Sequence, residues 1–258
     1  MTQDRLSNLL EQHAFLYGII CRDATPIDIE LMAQSGFHVV WLDREHSSQS
    51  MTDLLGLSRT VEHLGMVSMI RLSEITRAQA QTALDGGIRI LAAPDVRTGE
   101  DAARLVRLSK YPPMGRRGVS TTGAGAGYAL GADARRTLDE VDAATKVMVM
   151  IESDEGNENL DAILATPGVD MLTIGPLDWG TSLGLYGDAA RTHLMPKIER
   201  TLRHAVAAGR IAAMYTPDGE TALRYRNCGV RIFFVGEDVV MKRRNMEQTL
   251  STFSVLLG

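Results

Sequence analysis

Glu152 directly follows the run Lys146-Val-Met-Val-Met-Ile151, and Asp178 follows Val169-Asp-Met-Leu-Thr-Ile174 across Gly175-Pro176-Leu177. If both runs are parallel strands of one barrel, the two carboxylates meet at its open end. An oxygen pair of that kind suits a hard divalent cation such as Mg²⁺ or Mn²⁺ better than a closed structural zinc site. The competing reading is a helix cap, because an acid just past a strand can receive the first amides of the next helix, and Asp154 or Asp178 could do so. One such acid would be unremarkable. Two on neighbouring strands favour the cation.

Asp43-Arg44-Glu45-His46 follows the apolar run His38-Val-Val-Trp-Leu42, so a barrel would put these polar side chains at its catalytic rim. His46 can move protons near neutral pH, and a nearby carboxylate would orient it and stabilise its charged form. A lone histidine otherwise reads as a surface or hydrogen-bonded structural residue, and both readings stand. Arg71 closes Val67-Ser-Met-Ile70, where its fork of donors would hold a carboxylate or carbonyl oxygen, or else pair locally with Glu74. The lysines are Lys110, Lys146, Lys197 and Lys242, and none closes a predicted strand. Lys146 opens one, at the rim opposite Glu152. Schiff-base chemistry needs a buried, activated amine in the pocket, and this chain offers none.

The elements that must position these residues recur along the chain. Strand-like runs span Phe15–Ile20, His38–Leu42, Val67–Arg71, Ile88–Ala92, Val147–Ile151, Met171–Ile174, Ile211–Met214 and Ile232–Val235. Helical patterns lie between most of them, including Ile27–Ser35, Met51–Leu64, a stretch from near Glu155 to Ala165, Pro217–Cys228 and Asp238–Leu257. Apolar strands separated by helices predict a parallel sheet, since parallel strands need long crossovers. Eight such units predict an α/β fold of the (β/α)8 TIM-barrel type, with a doubly wound open sheet as the alternative.

At 258 residues, 45% hydrophobic and 23% charged, the chain fits a single barrel domain. A net charge of -5 argues against nucleic acid as partner, and no apolar run is long enough to cross a bilayer. With only Cys21 and Cys228, and no charged-then-apolar leader at Met1-Thr-Gln-Asp-Arg-Leu-Ser, a cytoplasmic protein is expected. The strand–helix rhythm breaks between Tyr111 and Leu130, through Tyr111-Pro-Pro-Met-Gly-Arg-Arg-Gly118 and Gly123-Ala-Gly-Ala-Gly127. This is either a functional loop or a mobile surface loop. It is not a dinucleotide fingerprint, because no strand immediately precedes it and the glycine spacing differs.

Taken together, these residues resemble the HpcH/HpaI family of metal-dependent pyruvate aldolases, over nearly the whole chain. The resemblance is carried by Trp41-Leu-Asp-Arg-Glu-His46, Tyr111-Pro-Pro-Met-Gly-Arg-Arg-Gly118, Ile151-Glu152 with Glu158-Asn-Leu-Asp-Ala162, Ile174-Gly-Pro-Leu-Asp178 with Ser182-Leu-Gly184, and Phe234-Val-Gly-Glu-Asp238. It implies a barrel of the phosphoenolpyruvate/pyruvate-binding type, assembled as a homohexamer, with the C-terminal helix packing on a neighbouring subunit. It implies Glu152 and Asp178 as ligands of a divalent cation (Mg²⁺, Mn²⁺ or Co²⁺) and Arg71 as the contact to the pyruvyl oxygens. His46 corresponds to the histidine of proton transfer and Asp85 to its acidic partner, with Asp43 and Glu45 supporting them. Read on its own, Asp85 is equally a helix-end residue before Gly86-Gly87. The resemblance also implies that Gly175, Pro176, Leu177, Asp178 and Trp179 line the substrate, and that Arg117 contributes across an interface. Met150 stands where many members carry glutamine, and Leu177 and Trp179 stand where smaller or aliphatic residues are common. These departures bear on acceptor preference.

The implied reaction is reversible cleavage of a 4-hydroxy-2-oxo acid to pyruvate, or a related 2-oxo acid such as hydroxypyruvate, and an aldehyde. Oxaloacetate decarboxylation would be a side activity. The alternatives are a C–C lyase acting on an acyl-CoA and a non-catalytic metabolite-binding barrel.

Overall fold

The computed structural model describes residues 4–129 and 133–257, so the first three residues and Leu130, at the end of the irregular stretch, lie outside it. In order, the elements are α1 (Arg5–Gln12), β1 (Leu16–Cys21), α2 (Pro26–Gln34), β2 (Val39–Asp43), α3 (Met51–His63), β3 (Val67–Arg71) and α4 (Arg77–Asp85). Then come β4 (Ile90–Ala93), α5 (Gly99–Ser109), α6 (Ala134–Ala144), β5 (Lys146–Ile151), α7 (Asp154–Glu158), α8 (Leu160–Leu164), β6 (Met171–Ile174) and α9 (Pro176–Ser182). The chain finishes with α10 (Gly187–Ala207), β7 (Ile211–Tyr215), α11 (Gly219–Arg226), β8 (Ile232–Glu237) and α12 (Asp238–Leu257). All eight expected strands are present, each within two residues of its expected limits.

The strands pair in parallel and in chain order, and β8 returns to β1, so the sheet is a closed (β/α)8 barrel and the open-sheet alternative is excluded. Both strand faces are apolar because each is covered. Ile19, Val40, Leu42, Ile70, Leu91, Val149, Leu172 and Met214 face the helices. Ile20, Trp41, Met69, Ala92, Met150, Ala213 and Phe234 fill the interior. Gly18 makes this inner packing possible, since a Cβ there would lie 2.5 Å from the Phe234 ring. The space instead admits Phe234, which stacks edge-on against Trp41 with ring centroids 5.0 Å apart.

Local sequence fixes where the outer helices begin. Thr25/Asp28, Ser50/Asp53 and Thr98/Asp101 form reciprocal capping boxes on α2, α3 and α5, each contributing about 1 kcal/mol. The helix expected from near Glu155 is two short ones, α7 and α8, meeting at Asn159. α1 was not anticipated. It closes the barrel's N-terminal opening by packing Leu6, Leu9 and Leu10 against the inner core. Arg231 holds its C-terminal end, donating from Nη2 to the carbonyl oxygens of Leu10 (2.6 Å) and His13 (3.0 Å).

The irregular stretch after α5 contains one 3-10 turn, Ala124–Ala126, packed on α4. Among the described residues, no helix is long and apolar enough to cross a membrane.

Candidate active site

Side chains alternate along a strand, so the residue two positions past the last inner core residue arrives at the barrel mouth. Ile20 is followed in this way by Arg22, Trp41 by Asp43, Met69 by Arg71, Met150 by Glu152 and Ala213 by Tyr215. Glu237 joins them from β8, where a register shift against β1 pairs it with Ile20. The C-terminal ends of a (β/α)8 barrel are where such enzymes place their chemistry.

Asp43 is the hub. It is fully buried, and its Oδ1 accepts the Arg71 Nε at 3.1 Å and the backbone N–H groups of Glu45 (3.0 Å) and His46 (3.3 Å). Its Oδ2 accepts Arg71 Nη2 at 2.6 Å and Arg22 Nη1 at 2.7 Å. Burial pushes this carboxyl up, but the hydrogen bonds and charge of Arg71 outweigh it and leave Asp43 below the ordinary carboxylate range. Arg71 therefore pairs with Asp43 and, through Nη1 at 3.0 Å, with Glu45, rather than with Glu74. Its guanidinium lies over the Trp41 ring, 5.5 Å from the centroid.

Glu152 is differently placed. Its Oε1 accepts the backbone N–H of Asp95 at 2.6 Å, an amide aimed by the left-handed backbone of Asp95 (φ 47°). Its Oε2 is buried and has no hydrogen-bond partner in the chain. Burial raises the Glu152 carboxyl to about 7; the Asp95 N–H opposes the rise, and the charges of Asp178 and Glu45 add to it. Burial also lifts Glu45 above its usual range, against Arg71 and His46, with Asp43 and Asp178 adding to the rise. Three carboxylates thus repel one another across one mouth. Gly175 leaves the room for this arrangement, because a Cβ there would lie 2.2 Å from Glu152 Oε2.

Asp178 sits in the first turn of α9, exposed. Neither it nor Asp154 serves as a helix cap: Ser153 caps α7, and α9 begins from Gly175 with no side-chain cap. His46 is exposed at the same rim, its Nε2 3.9 Å from Glu45 Oε2. Pro176 is half-buried and Leu177 exposed beside Asp178.

Two of the expected site residues lie away from the mouth of their own barrel, and for Asp85 the expectation covers action either within or across subunits. Asp85 ends α4, at the opposite rim from His46, because the helix runs back to the start of β4. There it accepts from Gln81 (2.6 Å) and from Arg117 (3.0 Å), whose guanidinium stacks on Tyr111 at 4.7 Å. Within its own barrel, His46 is approached by the carboxylate of Glu45. Trp179 does not line the mouth either. Its indole is fully buried in the outer core, donating to Asp154 at 2.8 Å with Lys197 over the ring.

Arg22, Asp95, Glu237 and Tyr215 were not anticipated. For Arg22 the signal was present, since β1 runs one residue further than its apolar pattern suggested. Lys146, as expected, opens β5 at the far rim, where it is bonded to Asp4 at 2.6 Å, and buried Lys110 donates to the Asp142 and Thr145 carbonyls.

The donor set fits a hard divalent cation. A carboxyl raised mainly by burial and further by nearby carboxylates, with one oxygen lacking a partner, is relieved by positive charge. Among the described residues, no three His, Cys, Asp or Glu side chains form a closed cage. A cation held by two carboxylates would need water and substrate oxygens to complete its shell.

A closed (β/α)8 barrel with acids, an arginine fork and an exposed histidine at its C-terminal mouth has the layout of a barrel enzyme acting on a small molecule. Residues 18–242 match HpcH/HpaI aldolase/citrate lyase, and the chain belongs to that family. It is a carbon–carbon lyase of the aldolase type. It is 34% identical to a hydroxypyruvate/pyruvate aldolase of Delftia acidovorans, over 89% of this chain and 84% of that one. It is 32% identical to a 2-keto-3-deoxy-L-rhamnonate aldolase of Klebsiella pneumoniae, over 87% and 83%. The structure of an HpcH/HpaI aldolase/citrate lyase family protein from Burkholderia cenocepacia superposes with a TM-score of 0.88 at 30% identity, covering 98% of this chain and 100% of that one.

Proposed function

We propose that this aldolase reversibly cleaves a 4-hydroxy-2-oxo acid to pyruvate, or a related 2-oxo acid such as hydroxypyruvate, and an aldehyde. The observation that carries the reading is the unpartnered Oε2 of buried Glu152, whose carboxyl is raised in part by the charge of Asp178. Glu152 and Asp178 would hold a divalent cation such as Mg²⁺, Mn²⁺ or Co²⁺. Bound there, it would polarise the 2-oxo group and offset negative charge developing on its oxygen.

The chain's own residues divide the remaining work. With Arg71 Nε and Nη2 committed to Asp43, Nη1 would serve the substrate, sharing its donors between a substrate oxygen and Glu45 Oε2 at 3.0 Å. The uncapped first turn of α9 presents amides around Leu177 and Asp178 to the substrate carboxylate. His46, through water, accepts the proton of the 4-hydroxyl. The C4 carbonyl forms as the C3–C4 bond breaks, and the electron pair passes to the 2-oxo acid fragment as its enolate. Arg71 stabilises that charge, and a proton delivered to C3 completes the 2-oxo acid. Condensation is the same path reversed.

Chelator-treated protein should lose condensation of pyruvate or hydroxypyruvate with an aldehyde panel, and regain it with Mg²⁺, Mn²⁺ or Co²⁺. Turnover that persists without metal would contradict the assignment. Turnover only with a malyl- or citramalyl-type thioester would move it to acyl-CoA chemistry.

A further inference from the structure

Arg22 belongs to the mouth but has no part in the reaction as drawn above. Its Nη1 donates to Asp43 Oδ2 at 2.7 Å, and its Nε donates to Glu237 Oε2 at 2.7 Å. The main chain is fixed as well. The N–H groups of Arg22 and Asp23 donate to the buried carboxylate of Asp238 (2.9 and 3.1 Å), and Ser47 Oγ donates to the Arg22 carbonyl at 2.7 Å. Two guanidinium groups, one just past β1 and one on β3, therefore share one oxygen of Asp43 on β2.

The consequence is electrostatic. Arg71 faces Asp43, Glu45 and the charge of Glu152. With no second cation, those acids would cancel the positive field that an anionic 2-oxo acid needs. Arg22 neutralises part of Asp43, and Glu237 in turn holds back part of Arg22.

We propose that Arg22 is a positioning residue which, through Asp43, keeps Arg71 effective toward the anionic 2-oxo acid and its enolate, with Glu237 as its counterweight. The inference rests on the functional reading above and adds that the mouth trades cation affinity against anion affinity. Removing Arg22 makes the site more negative, so it should hold a divalent cation more tightly and a 2-oxo acid more weakly. Removing the Glu237 charge should do the reverse. Loss of a purely structural contact would weaken both together.

The test is calorimetry on the full-length protein, first with Mn²⁺ alone and then with pyruvate at saturating Mn²⁺, at low and high ionic strength. Arg22→Gln should bind Mn²⁺ at least about threefold more tightly and pyruvate about tenfold more weakly, with both effects shrinking in salt. Glu237→Gln should shift each affinity the other way. Arg22→Lys, which keeps the charge but not the fork, should return Mn²⁺ affinity toward wild type. If Arg22→Gln does not fold, Glu237→Gln carries the test alone. A folded Arg22→Gln or Glu237→Gln in which the two affinities fail to move in opposite directions, or a folded Arg22→Lys that binds Mn²⁺ as tightly as Arg22→Gln, overturns the proposal. A wild type that binds no Mn²⁺ overturns the functional reading and this inference with it.

Discussion

Replacing Glu152 by glutamine keeps an oxygen to accept the Asp95 N–H and removes the charge from the unpartnered side of the group. In the folded chain without metal, the Glu152 carboxyl is raised from 4.5 to about 7. A raised acid costs nothing below its unfolded value, where both states are protonated. The cost grows between about 4.5 and 7 as the unfolded state ionises first, and is complete above 7. At pH 8 it amounts to about 3 kcal/mol, falling to about 1 kcal/mol at pH 5.5. Glu152→Gln should therefore be more stable than the parent by these amounts in chelator, or about 6–12 °C in Tm at pH 8 for a chain of this size. Paired thermal and urea unfolding at fixed protein concentration at the two pH values reads the difference directly. Added Mn²⁺ at about 100 times its Kd should then stabilise the parent by about 2.7 kcal/mol and the variant hardly at all. A stability difference that ignores pH, or a variant less stable than the parent at pH 8, would refute the electrostatic account of this residue.

Four further outcomes follow from the geometry. Gly175→Ala forces a Cβ toward Glu152 Oε2, where it would lie at 2.2 Å, so Mn²⁺ affinity by calorimetry should drop about tenfold or more while the barrel still folds. His46→Ala removes an exposed side chain, so unfolding should shift by no more than about 0.5 kcal/mol and Mn²⁺ binding should persist. Its aldol rate in stopped or continuous assay should fall about 100-fold or more. Trp179→Phe leaves Asp154 without its indole donor, which should cost about 1–2 kcal/mol in urea unfolding and leave the aldehyde KM unchanged. On α12, Met246, Leu250 and Phe253 expose one apolar face at helical spacing, so Leu250→Glu with Phe253→Glu should yield smaller species in sedimentation if that helix packs on a neighbouring subunit.

What the sequence made legible follows from what burial demands of it. Strands covered on both faces are continuous apolar runs, so their ends were readable to within two residues. Once the ends are placed, alternation alone sends Asp43, Arg71 and Glu152 to the mouth. Other features depend on facts that periodicity does not encode. The α1 plug is eight residues long, too short to stand out until the inner core it covers is known. For Trp179, the rotation of α9 decides whether its indole faces the mouth or Asp154, and periodicity does not fix that rotation. Asp85 was paired with His46 by resemblance, and spacing along the chain does not say that the two occupy opposite rims of one barrel.

Arg22 marks the deepest of these limits. Its partner Glu237 is 215 residues away, and the two meet only because β8 closes on β1 with a register shift. Neither residue is a candidate metal ligand, and neither β1 nor β8 carried a predicted catalytic side chain. Yet closure sets Glu237 on Arg22 and Arg22 on Asp43, which fixes Arg71 and receives the amides of the His46 turn. Substitutions at the seam between the first and last strands should therefore alter binding at the mouth before they alter the fold. Barrel closure itself is what connects these sequence ends to the site.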